Sequence, residues 1–368
     1  MRHRYRVTLV AGVTAIASAL LAAPARAGGS DHHTWTVHPG TGTVAAAVAK
    51  AHDGDTLLLT AGTFHDSVII TKSLTIRGAG WDKTTVLPPS SNAGCNVMGG
   101  IHGFCLFGAT DSKFNPIFSD RLEDASVSHM RFTGFSGIGV VGFNTDHLSV
   151  THVRSDHNGQ YGIARFASIH SVFAHDSASW DGEAGLYLGD SPNGDSVVRD
   201  SWSDHSTFGI FLRDSTELTA RDNHVWGNCV GIMALNTGGE APYDIPAGDY
   251  RITGNTVWGN DKACPAGEDG PALSGLGILL AGVHDSVVRD NTVNNNKPGG
   301  PTLGSGGIAI VSTKSMHGTD PTNNTVAGND AHGNVPADIV WDKTGSGNVV
   351  RGNDCAKALP DNLGWCHQ

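Results

Sequence analysis

Short apolar runs separated by polar turns recur along most of this chain. Each run begins with glycine and an aliphatic residue, and successive runs are spaced by 25, 23, 24, 22, 46 and 30 residues. The runs begin at Gly137, Gly162, Gly185, Gly209, Gly231, Gly277 and Gly307. A period in the low twenties is too short for a strand–helix–strand unit and fits one turn of a parallel β-solenoid. Equivalent residues of neighbouring coils would then stack about 4.8 Å apart.

The polar half of the repeat carries two asparagines five residues apart. They are Asn223/Asn228, Asn255/Asn260, Asn291/Asn296 and Asn329/Asn334. Asparagine tolerates the left-handed geometry of tight turns, and its amide can bond to the equivalent amide of the next coil. We therefore predict that these residues form structural ladders and take no part in chemistry.

The repeat also predicts how the chain is organised. Residues 35–87 read as a cap and first coil with a helical stretch at 44–51, and residues 88–120 as a loop region. The regular coils span 124–354, and 355–368 form a disulfide-closed C-terminal end. The 46-residue spacing contains one asparagine pair, which predicts a single coil with two insertions, 236–248 and 261–276. Long loops on a rigid scaffold often carry function.

The first 27 residues have the features of a secretory signal peptide. Arg2, Arg4 and Arg6 precede an apolar run from Val7 to Ala23, and Ala25-Arg26-Ala27 is a small-x-small cleavage site. No later segment is apolar enough to cross a bilayer. We expect an extracellular protein, secreted without membrane insertion, whose mature chain begins near Gly28.

The mature chain is strongly acidic. Four of the 24 basic residues lie in the predicted signal peptide, which leaves 20 against 35 acidic residues and a net charge of about −15. Such a charge argues against nucleic acid or anionic lipid as a partner. The 49 glycines and the low content of charged residues suit tight coils rather than helices.

Six cysteines in an exported chain indicate disulfides. Cys229 and Cys264 both follow a Trp-Gly-Asn phrase, so the repeat places them at the same corner of adjacent coils. Cys95–Cys105 and Cys355–Cys366 are local pairs that would close short loops. A metal site is the weaker alternative, because no two cysteines have C-x-x-C spacing.

Two phrases near the N-terminus carry a family resemblance. His52-Asp-Gly-Asp-Thr-Leu-Leu-Leu-Thr-Ala-Gly-Thr-Phe64 and Ser67-Val-Ile-Ile-Thr-Lys-Ser-Leu-Thr-Ile-Arg-Gly-Ala-Gly80 resemble the opening of right-handed parallel β-helix proteins of the pectin-lyase-like superfamily. The later coils are similar to the repeats of the protein that matures nitrous oxide reductase. The phrases at 182–192 and 260–264 resemble exported β-helix proteins of high-GC Gram-positive bacteria. The resemblance implies an all-β, right-handed parallel β-helix of about ten coils with a short N-terminal helical cap.

Superfamily enzymes work on outward residues of one long strand, and the glycine-aliphatic strand is the candidate. Alternation places Ile163, Leu186, Ile210 and Ile232 inward, with Arg165 as a discordant inward residue. Phe166, Tyr187 and Phe211 point outward, next to Arg213, and would suit stacking on sugar rings. The alternative is that a covering loop, such as 236–248, buries these aromatics.

A second cluster of candidates precedes the same strands. Ser155-Asp156-His157-Asn158 and Ser203-Asp204-His205-Ser206 align two coils apart, and the coil between them adds Asp181 and Glu183. Stacked carboxylates could share Ca²⁺ or act as acid and base, and histidine could shuttle protons. The catalytic candidates are therefore Asp156, His157, Asp181, Glu183, Asp204, His205 and Arg213. The plainer interpretation is that these residues cap tight turns.

The sequence lacks the complete motifs that would name an enzyme. Of the polygalacturonase set only Asn144-Thr145-Asp146 is present. Trp202-Ser203-Asp204-His205 echoes a pectate lyase phrase without its arginine partner motif, and Tyr161-Gly-Ile-Ala-Arg-Phe166 lacks the Asp and His of alginate epimerases. Each departure removes a specific mechanism.

Three functional hypotheses remain. The first is a secreted, monomeric protein that binds or processes an extracellular polysaccharide or cell-wall glycan, by lyase, epimerase or hydrolase chemistry if it is catalytic. The second is a non-catalytic adhesive solenoid. The third is a metal-handling accessory protein, suggested by 19 histidines, although these are scattered along the sequence.

Overall fold

The chain winds into a right-handed parallel β-helix, as the sequence predicts. The computed structural model describes residues 32–91, 93–239, 247–267, 270–361 and 364–367. The predicted signal peptide and part of the predicted 236–248 insertion lie outside these residues. No helix in the described part of the chain is long and apolar enough to span a bilayer.

Three parallel sheets run the length of the β-helix, and the chain visits them in the order one, two, three in each regular coil. Most strands of sheets one and two are short, and as a consequence only one or two side chains in each point inward. In Thr256–Trp258, for example, Val257 is buried between two outward residues. Such short alternating strands match the polar half of the repeat.

The strands of sheet one are Thr34–Val37, Thr56–Leu59, Thr75–Arg77, the first part of Ser126–Thr133 and of Ser149–Asp156, Val172–Ala174, Ser196–Arg199, Leu218–Arg221, Arg251–Thr253, Val287–Arg289, Thr325–Ala327 and Val349–Arg351. Those of sheet two are Gly40–Thr41, Gly62–His65, Thr84–Leu87, the second part of Ser126–Thr133 and of Ser149–Asp156, Ser177–Ser179, Trp202–Asp204, His224–Trp226, Thr256–Trp258, Thr292–Asn294, Asp330–His332, Asn353–Cys355 and Cys366–His367.

Sheet three has eleven strands among the described residues, close to the expected number of coils. They are Val68–Ile70, Phe104–Phe107, Val140–Phe143, Tyr161–Phe166, Ala184–Ser191, Phe208–Ser215, Val230–Leu235, Leu276–Ala281, Gly306–Val311, Ile339–Trp341 and Ala358–Leu359. The remaining strands form two small pairs, Asn96–Val97 with Gly100–Ile101 and Leu122–Glu123 with Thr145–Asp146, and a 3₁₀ turn spans Lys314–Met316.

The helix Thr43–Lys50 caps the N-terminal coils, where a helical stretch is predicted. Val44 and Val48 are its buried residues. Lys72 Nζ donates to the carbonyl oxygens of Val48 and Ala51 at 2.8 and 2.6 Å, which satisfies acceptors that the helix end leaves open. The helix buries one apolar face against the first coils.

Three corners separate the sheets, and each regular coil places one residue with positive φ at each corner, five residues apart along the chain. The first corner lies between sheets three and one, the second between sheets one and two, and the third between sheets two and three. In one coil these residues are His147, His152 and His157, with φ of 57°, 55° and 57°. Histidine, aspartate, asparagine and glycine fill nearly all these positions because they tolerate left-handed backbone best.

The residue after each corner position points inward and forms the predicted asparagine ladders. Asn228 Nδ2 donates to Asn260 Oδ1 at 3.0 Å, and Asn260 Nδ2 donates to Asn296 Oδ1 at 2.9 Å. Asn223 and Asn255 begin a second ladder in the same way, at 2.9 Å. The structural role predicted for these asparagines is confirmed.

The three predicted disulfides, Cys95–Cys105, Cys229–Cys264 and Cys355–Cys366, are all present. No described cysteine is free. Cys229–Cys264 joins adjacent coils, as the repeat indicates, and the other two bridges close short loops of 10 and 11 residues.

Apolar side chains pack on both faces of sheet three. The inner cluster contains Ile163, Leu186, Ile210 and Ile232, as predicted. A second cluster covers the outer face, and it takes residues from the loop region, such as Phe114, and from the second insertion, such as Leu273. Sheet three is therefore buried on both faces, which distinguishes it from sheets one and two.

Candidate functional site

The outward aromatic residues of sheet three are covered. Tyr187 is completely buried and Phe211 is 4% exposed, while Phe166 is half-buried and packs against Tyr187 at a ring distance of 4.8 Å. The Tyr187 hydroxyl donates to Asp190 Oδ2 at 2.7 Å. These rings offer no open surface for a sugar, so the structure supports the alternative that a covering layer buries them.

Arg213 lies at the far end of its strand from the acidic corner. It is the sixth residue of the strand Phe208–Ser215, roughly 16 Å beyond the strand's first residue at a rise of about 3.3 Å per residue. Its Nε donates to Asp214 Oδ2 at 3.0 Å. Burial alone lowers the pKa of the guanidinium, but Asp190 and Tyr187 outweigh that effect and raise it well above its usual value. The structure therefore does not bring Arg213 together with Asp181 and His205.

Arg165 occupies the inward slot predicted for it and is fully buried. Its Nη1 donates to Gly189 O at 3.1 Å and to the Ser191 hydroxyl. Burial lowers the pKa of this guanidinium to about 10. This inward arginine is held by carbonyl and hydroxyl oxygens of the next coil.

Asp156 forms a buried ion-pair centre at the third corner. Arg131 binds it through two donors, Nε and Nη2, each at 2.7 Å, and Arg154 Nε adds a third contact at 3.0 Å. Burial alone raises the pKa of the Asp156 carboxyl, but hydrogen bonds from Arg131, His157 and Thr133 lower it to about 2. A carboxylate so fully engaged is a structural anion rather than a free base.

Asp181 is a member of the inward ladder. Its Oδ1 accepts from the Asn158 backbone N–H at 3.0 Å and from Asn158 Nδ2 at 2.9 Å, whereas Oδ2 is buried without a hydrogen-bond partner. Burial raises the pKa of this carboxyl well above its usual value. Glu183, half-buried, accepts the Tyr161 hydroxyl at 2.5 Å. The predicted carboxylates therefore sit in separate environments and do not form one acid–base pair.

Of the remaining candidates at the third corner, His157 and His205 are accessible, while the Asp204 side chain is only 14% exposed. His157, Trp180 and His205 occupy equivalent positions in three successive coils, and their rings stack at 6.1 and 4.3 Å. His205 Nδ1 lies 2.5 Å from Asp204 Oδ1. Trp180 is 53% exposed, more than the other exposed tryptophans of the described residues.

Next to this corner, the outer face of sheet two carries a row of aromatic rings that sequence reasoning missed. We call it the tryptophan face and define it by Trp202, His224, Trp226 and Trp258. Trp202 stacks on His224 at 6.2 Å and 11°, and Trp226 stacks on Trp258 at 5.0 Å and 14°. Trp202 is 39% exposed and Trp258 36%. The sequence signal that could have predicted this row is strand alternation, because each of these side chains lies next to a single inward residue in a short strand.

Basic and polar side chains continue the same face toward the N-terminus. A shallow depression of about 230 Å³ is lined by Trp81, Arg154, Ser177 and Trp202. The registers Ser177–Trp202–His224 and Asp204–Trp226–Trp258 place these side chains in two straight rows parallel to the axis of the β-helix. The result is an elongated, open surface rather than an enclosed pocket.

The first corner holds a different group, Asp146, His147 and His170. Asp146 Oδ1 lies 2.8 Å from His147 Nδ1 and 2.6 Å from His170 Nδ1. Asn144, which belongs to the same Asn-Thr-Asp phrase, is buried and donates through Nδ2 to the carbonyl oxygens of Ala109 and Ile117. The phrase thus anchors a loop through Asn144 and does not form a polygalacturonase site.

The fold is shared with several solved structures at low sequence identity. The mannuronan C-5 epimerase AlgE6 A-module of Azotobacter vinelandii is 14% identical, with 86% of this chain and 89% of that chain covered at a TM-score of 0.57. DFA-IIIase from Arthrobacter chlorophenolicus A6 is 15% identical, with 87% and 83% covered at a TM-score of 0.61. The catalytic domain of a GH87 alpha-1,3-glucanase is 12% identical, with 92% and 68% covered at 0.52.

No curated protein sequence matches the chain. Residues 123–355, which contain the corners, the ladders and the tryptophan face, match the model of the family described as periplasmic copper-binding protein (NosD). That match spans well over half of the sequence and agrees with the resemblance of the later coils. The chain belongs to the NosD family of parallel β-helix proteins.

Proposed function

We propose that this protein binds an extracellular glycan along the tryptophan face. The observation that carries the proposal is the exposure of Trp202 and Trp258 on one flat, ordered sheet. Large exposed aromatic rings cost free energy in water and mark binding surfaces when they are grouped. The apolar faces of sugar rings cover such indoles while the sugar hydroxyls remain hydrated.

The shape of this surface suits a chain-like ligand. The two rows follow the β-helix axis, and the coils repeat every 4.8 Å or so. The ring planes of Trp226 and Trp258 differ by only 14°. A glycan lying along the axis would therefore meet similarly oriented rings on successive coils. The parallel β-helix neighbours named as an epimerase and a glucanase give the same ligand class a precedent on this fold.

The proposed activity is binding without cleavage. Asp156 is fixed by Arg131 and Arg154, and Asp181 is buried in the ladder. Of the acids predicted as catalytic, Asp204 borders this face and pairs with His205. One such pair lacks the second, opposed carboxylate that glycoside hydrolysis ordinarily uses. The disulfides favour an oxidising compartment, which fits an exported glycan binder.

The test is affinity measurement against a panel of soluble polysaccharides. Trp202→Ala, Trp258→Ala and the double variant remove the stacking surface, and Leu303→Ala removes an exposed apolar side chain from a loop outside the tryptophan face. Each tryptophan variant should weaken binding about tenfold or more, equivalent to about 1.4 kcal/mol, with an unchanged melting temperature. Leu303→Ala should bind like the wild type.

Two results would overturn the proposal. If the double variant retains wild-type affinity, the ligand binds elsewhere on the protein. If the wild type binds no polysaccharide of the panel, the protein is not a glycan binder of the proposed kind. Release of shortened or unsaturated products would show catalysis, and its loss in Asp204→Asn would assign the reaction to the third corner.

A further inference from the structure

Arg165 is a cation inside the β-helix that has no ion-pair partner among the described residues. Its side chain is completely buried and occupies the inward slot that Leu188 and Leu212 fill in the next two coils. Burial lowers the pKa of the guanidinium to about 10, so the group is still charged at pH 7. A buried charge is costly unless an opposite charge or several hydrogen bonds compensate it. The glycan proposal makes no use of this residue.

The hydrogen-bond donors of Arg165 fall into two sets. Nη1 donates to Gly189 O and to the Ser191 hydroxyl in the next coil. Nε and Nη2 are both buried and make no hydrogen bond within the described part of the chain. These two N–H groups lie along one edge of the planar guanidinium and point the same way, as a fork that fits one anion. The protein thus holds one edge of the arginine, and the other edge can bind a ligand.

Arg131 shows what the same edge does elsewhere in this chain. Its Nε and Nη2 donate to the two carboxylate oxygens of Asp156, each at 2.7 Å. The Asp156 side chain is completely buried, so the two charges compensate each other within the protein. At Arg165 the equivalent two donors meet no carboxylate of the described residues. The comparison favours an anionic partner for Arg165 that these residues do not supply.

Hydroxyl groups of a neighbouring coil add further donors. Ser215 pairs in register with Ser191, which Arg165 contacts, and the Ser215 hydroxyl is buried without a hydrogen-bond partner. The Ser215 backbone N–H donates to the Tyr250 hydroxyl at 3.3 Å. Because that oxygen accepts, its own hydrogen is available to a second acceptor. Two buried hydroxyls therefore lie within about one coil spacing of the group that Arg165 contacts.

Asp190 is the acid whose charge reaches Arg165, and it is engaged by other groups. It accepts the Tyr187 hydroxyl at 2.7 Å. Burial raises the pKa of the Asp190 carboxyl, and Arg213 opposes this shift more strongly than Arg165 does. Asp190 therefore belongs with Tyr187 and Arg213 on the outer side of sheet three, and the inward fork of Arg165 remains for another anion.

We propose that Arg165 binds a chloride ion, or another halide, inside the β-helix, with the hydroxyls of Ser215 and Tyr250 as further donors. A halide accepts several hydrogen bonds from different directions and neutralises one positive charge. Arg165, Ser215 and Tyr250 are all completely buried, which suits a single-atom anion better than a larger oxyanion. The ion would join three coils through their inward side chains, so it would stabilise this part of the fold.

The experiment measures thermal stability and ion position on the full chain, purified with sodium gluconate or NaBr in place of NaCl. Melting temperatures are compared in gluconate and in chloride at one ionic strength. Arg165→Leu introduces the residue of the next two coils, and Ser215→Ala removes one hydroxyl. Arg221→Leu, at an outer position that is 43% exposed, is the control. Crystals grown with NaBr locate the ion by anomalous scattering.

Chloride should raise the wild-type melting temperature by about 2 °C or more relative to gluconate. This rise should be absent in Arg165→Leu, smaller in Ser215→Ala and unchanged in Arg221→Leu, and a bromide peak should lie within hydrogen-bond distance of Arg165 Nε and Nη2. The proposal is overturned if the crystals show only water at this fork, or if chloride stabilises Arg165→Leu as much as the wild type. Should Arg165→Leu fail to fold, an undiminished rise in Ser215→Ala, or no rise in the wild type, would equally overturn it.

Discussion

At the scale of single residues, backbone geometry explains the positions of the two histidines that the sequence predicts as catalytic. His157 and His205 occupy third-corner positions with φ of 57°. An L-residue in this conformation is normally asparagine, aspartate, histidine or glycine. The turn-capping interpretation therefore explains why these residues stand where they do. Any binding role they have is added to that structural one.

Burial makes the pKa of the Asp181 carboxyl differ from that of an exposed aspartate. An aspartate whose native pKa is raised binds its proton more tightly in the folded state than in the unfolded state. Stability is then greatest at low pH and falls as the pH rises from about 4, the unfolded pKa, toward the higher native value. The cause is burial, with one carboxylate oxygen left without a partner.

We therefore predict that Asp181→Asn stabilises the protein at pH 7. Asparagine has the same shape, occupies the equivalent ladder position in later coils and carries no charge. The gain should be about 1–3 kcal/mol at pH 7 and should shrink toward pH 4. Denaturant unfolding at both pH values measures it, and Asn260→Asp, which introduces a carboxylate at an equivalent position, should show the opposite trend. A less stable Asp181→Asn at pH 7 would mean that the ionised carboxylate is favourable.

Some residue-level features follow from the sequence and others do not. The asparagine ladders and the inward position of Arg165 are predictable because they depend only on strand alternation and coil register. The ion pair between Arg131 and Asp156 is not, because its donor lies one coil away on an outward position that carries no motif. Exposure at the tryptophan face likewise depends on which segments fail to cover it.

At the scale of elements, the sequence predicts which residues of sheet three point inward or outward, but not whether its outer face is covered. Alternation correctly separates inward from outward residues in Tyr161–Phe166 and its neighbours. Whether the outward side is open depends on distant segments, and here Phe114, Leu273 and Met316 all pack against it. These residues come from irregular parts of the chain whose path no periodicity describes. The expected sugar-stacking surface on Tyr187 and Phe211 is therefore buried.

The stacked histidines of the second corner, His129, His152 and His175, should make stability depend on pH. Burial, together with Arg77 and neighbouring histidines, lowers the pKa of His129 and His152. Between the native pKa and the unfolded value of about 6.5, the unfolded state binds more protons. The stabilising contribution is thus present above pH 6.5 and is lost as the pH falls through the native pKa.

We expect His152→Asn to reduce this acid sensitivity. The variant removes the central ring of the stack and keeps a residue that tolerates φ of 55°. Melting temperatures between pH 5 and 7.5 should fall less steeply on acidification than those of the wild type. His317→Asn, at an exposed left-handed position outside the three corners, should follow the wild type. Parallel curves for wild type and His152→Asn would show that the stack does not titrate in this range.

At the scale of the whole molecule, the β-helix is a one-dimensional stack in which each coil contacts its neighbours. Stability in such an array is close to a sum of coil and interface terms, so damage to one coil stays local. This is also why the period predicts the fold so well: each coil must satisfy the same few conditions. The proposed glycan binding is less predictable, since it rests on side chains at a few coils, such as Trp202 and Trp258.

The Cys229–Cys264 disulfide is the place to test this locality. Cys229 is buried at the third corner, and Cys264 begins a small antiparallel contact with Leu273, which packs on the outer face of sheet three. The bridge therefore ties the insertion to the neighbouring coil. Lys262 Nζ, two residues before Cys264, also donates to His205 O at 2.7 Å.

In a Cys229→Ser/Cys264→Ser variant, hydrogen exchange should accelerate in 261–267 and 270–276, while the coils before 200 and after 320 keep wild-type protection. The loss of unfolding free energy should be about 2–4 kcal/mol at most, because coil stacking already restrains the ends of the loop. Cys355→Ser/Cys366→Ser is the matched control, and its exchange should rise only near the C-terminal end. Uniformly faster exchange along the whole chain in the first variant would instead mean that the β-helix unfolds as one cooperative unit, and that this bridge stabilises all of it.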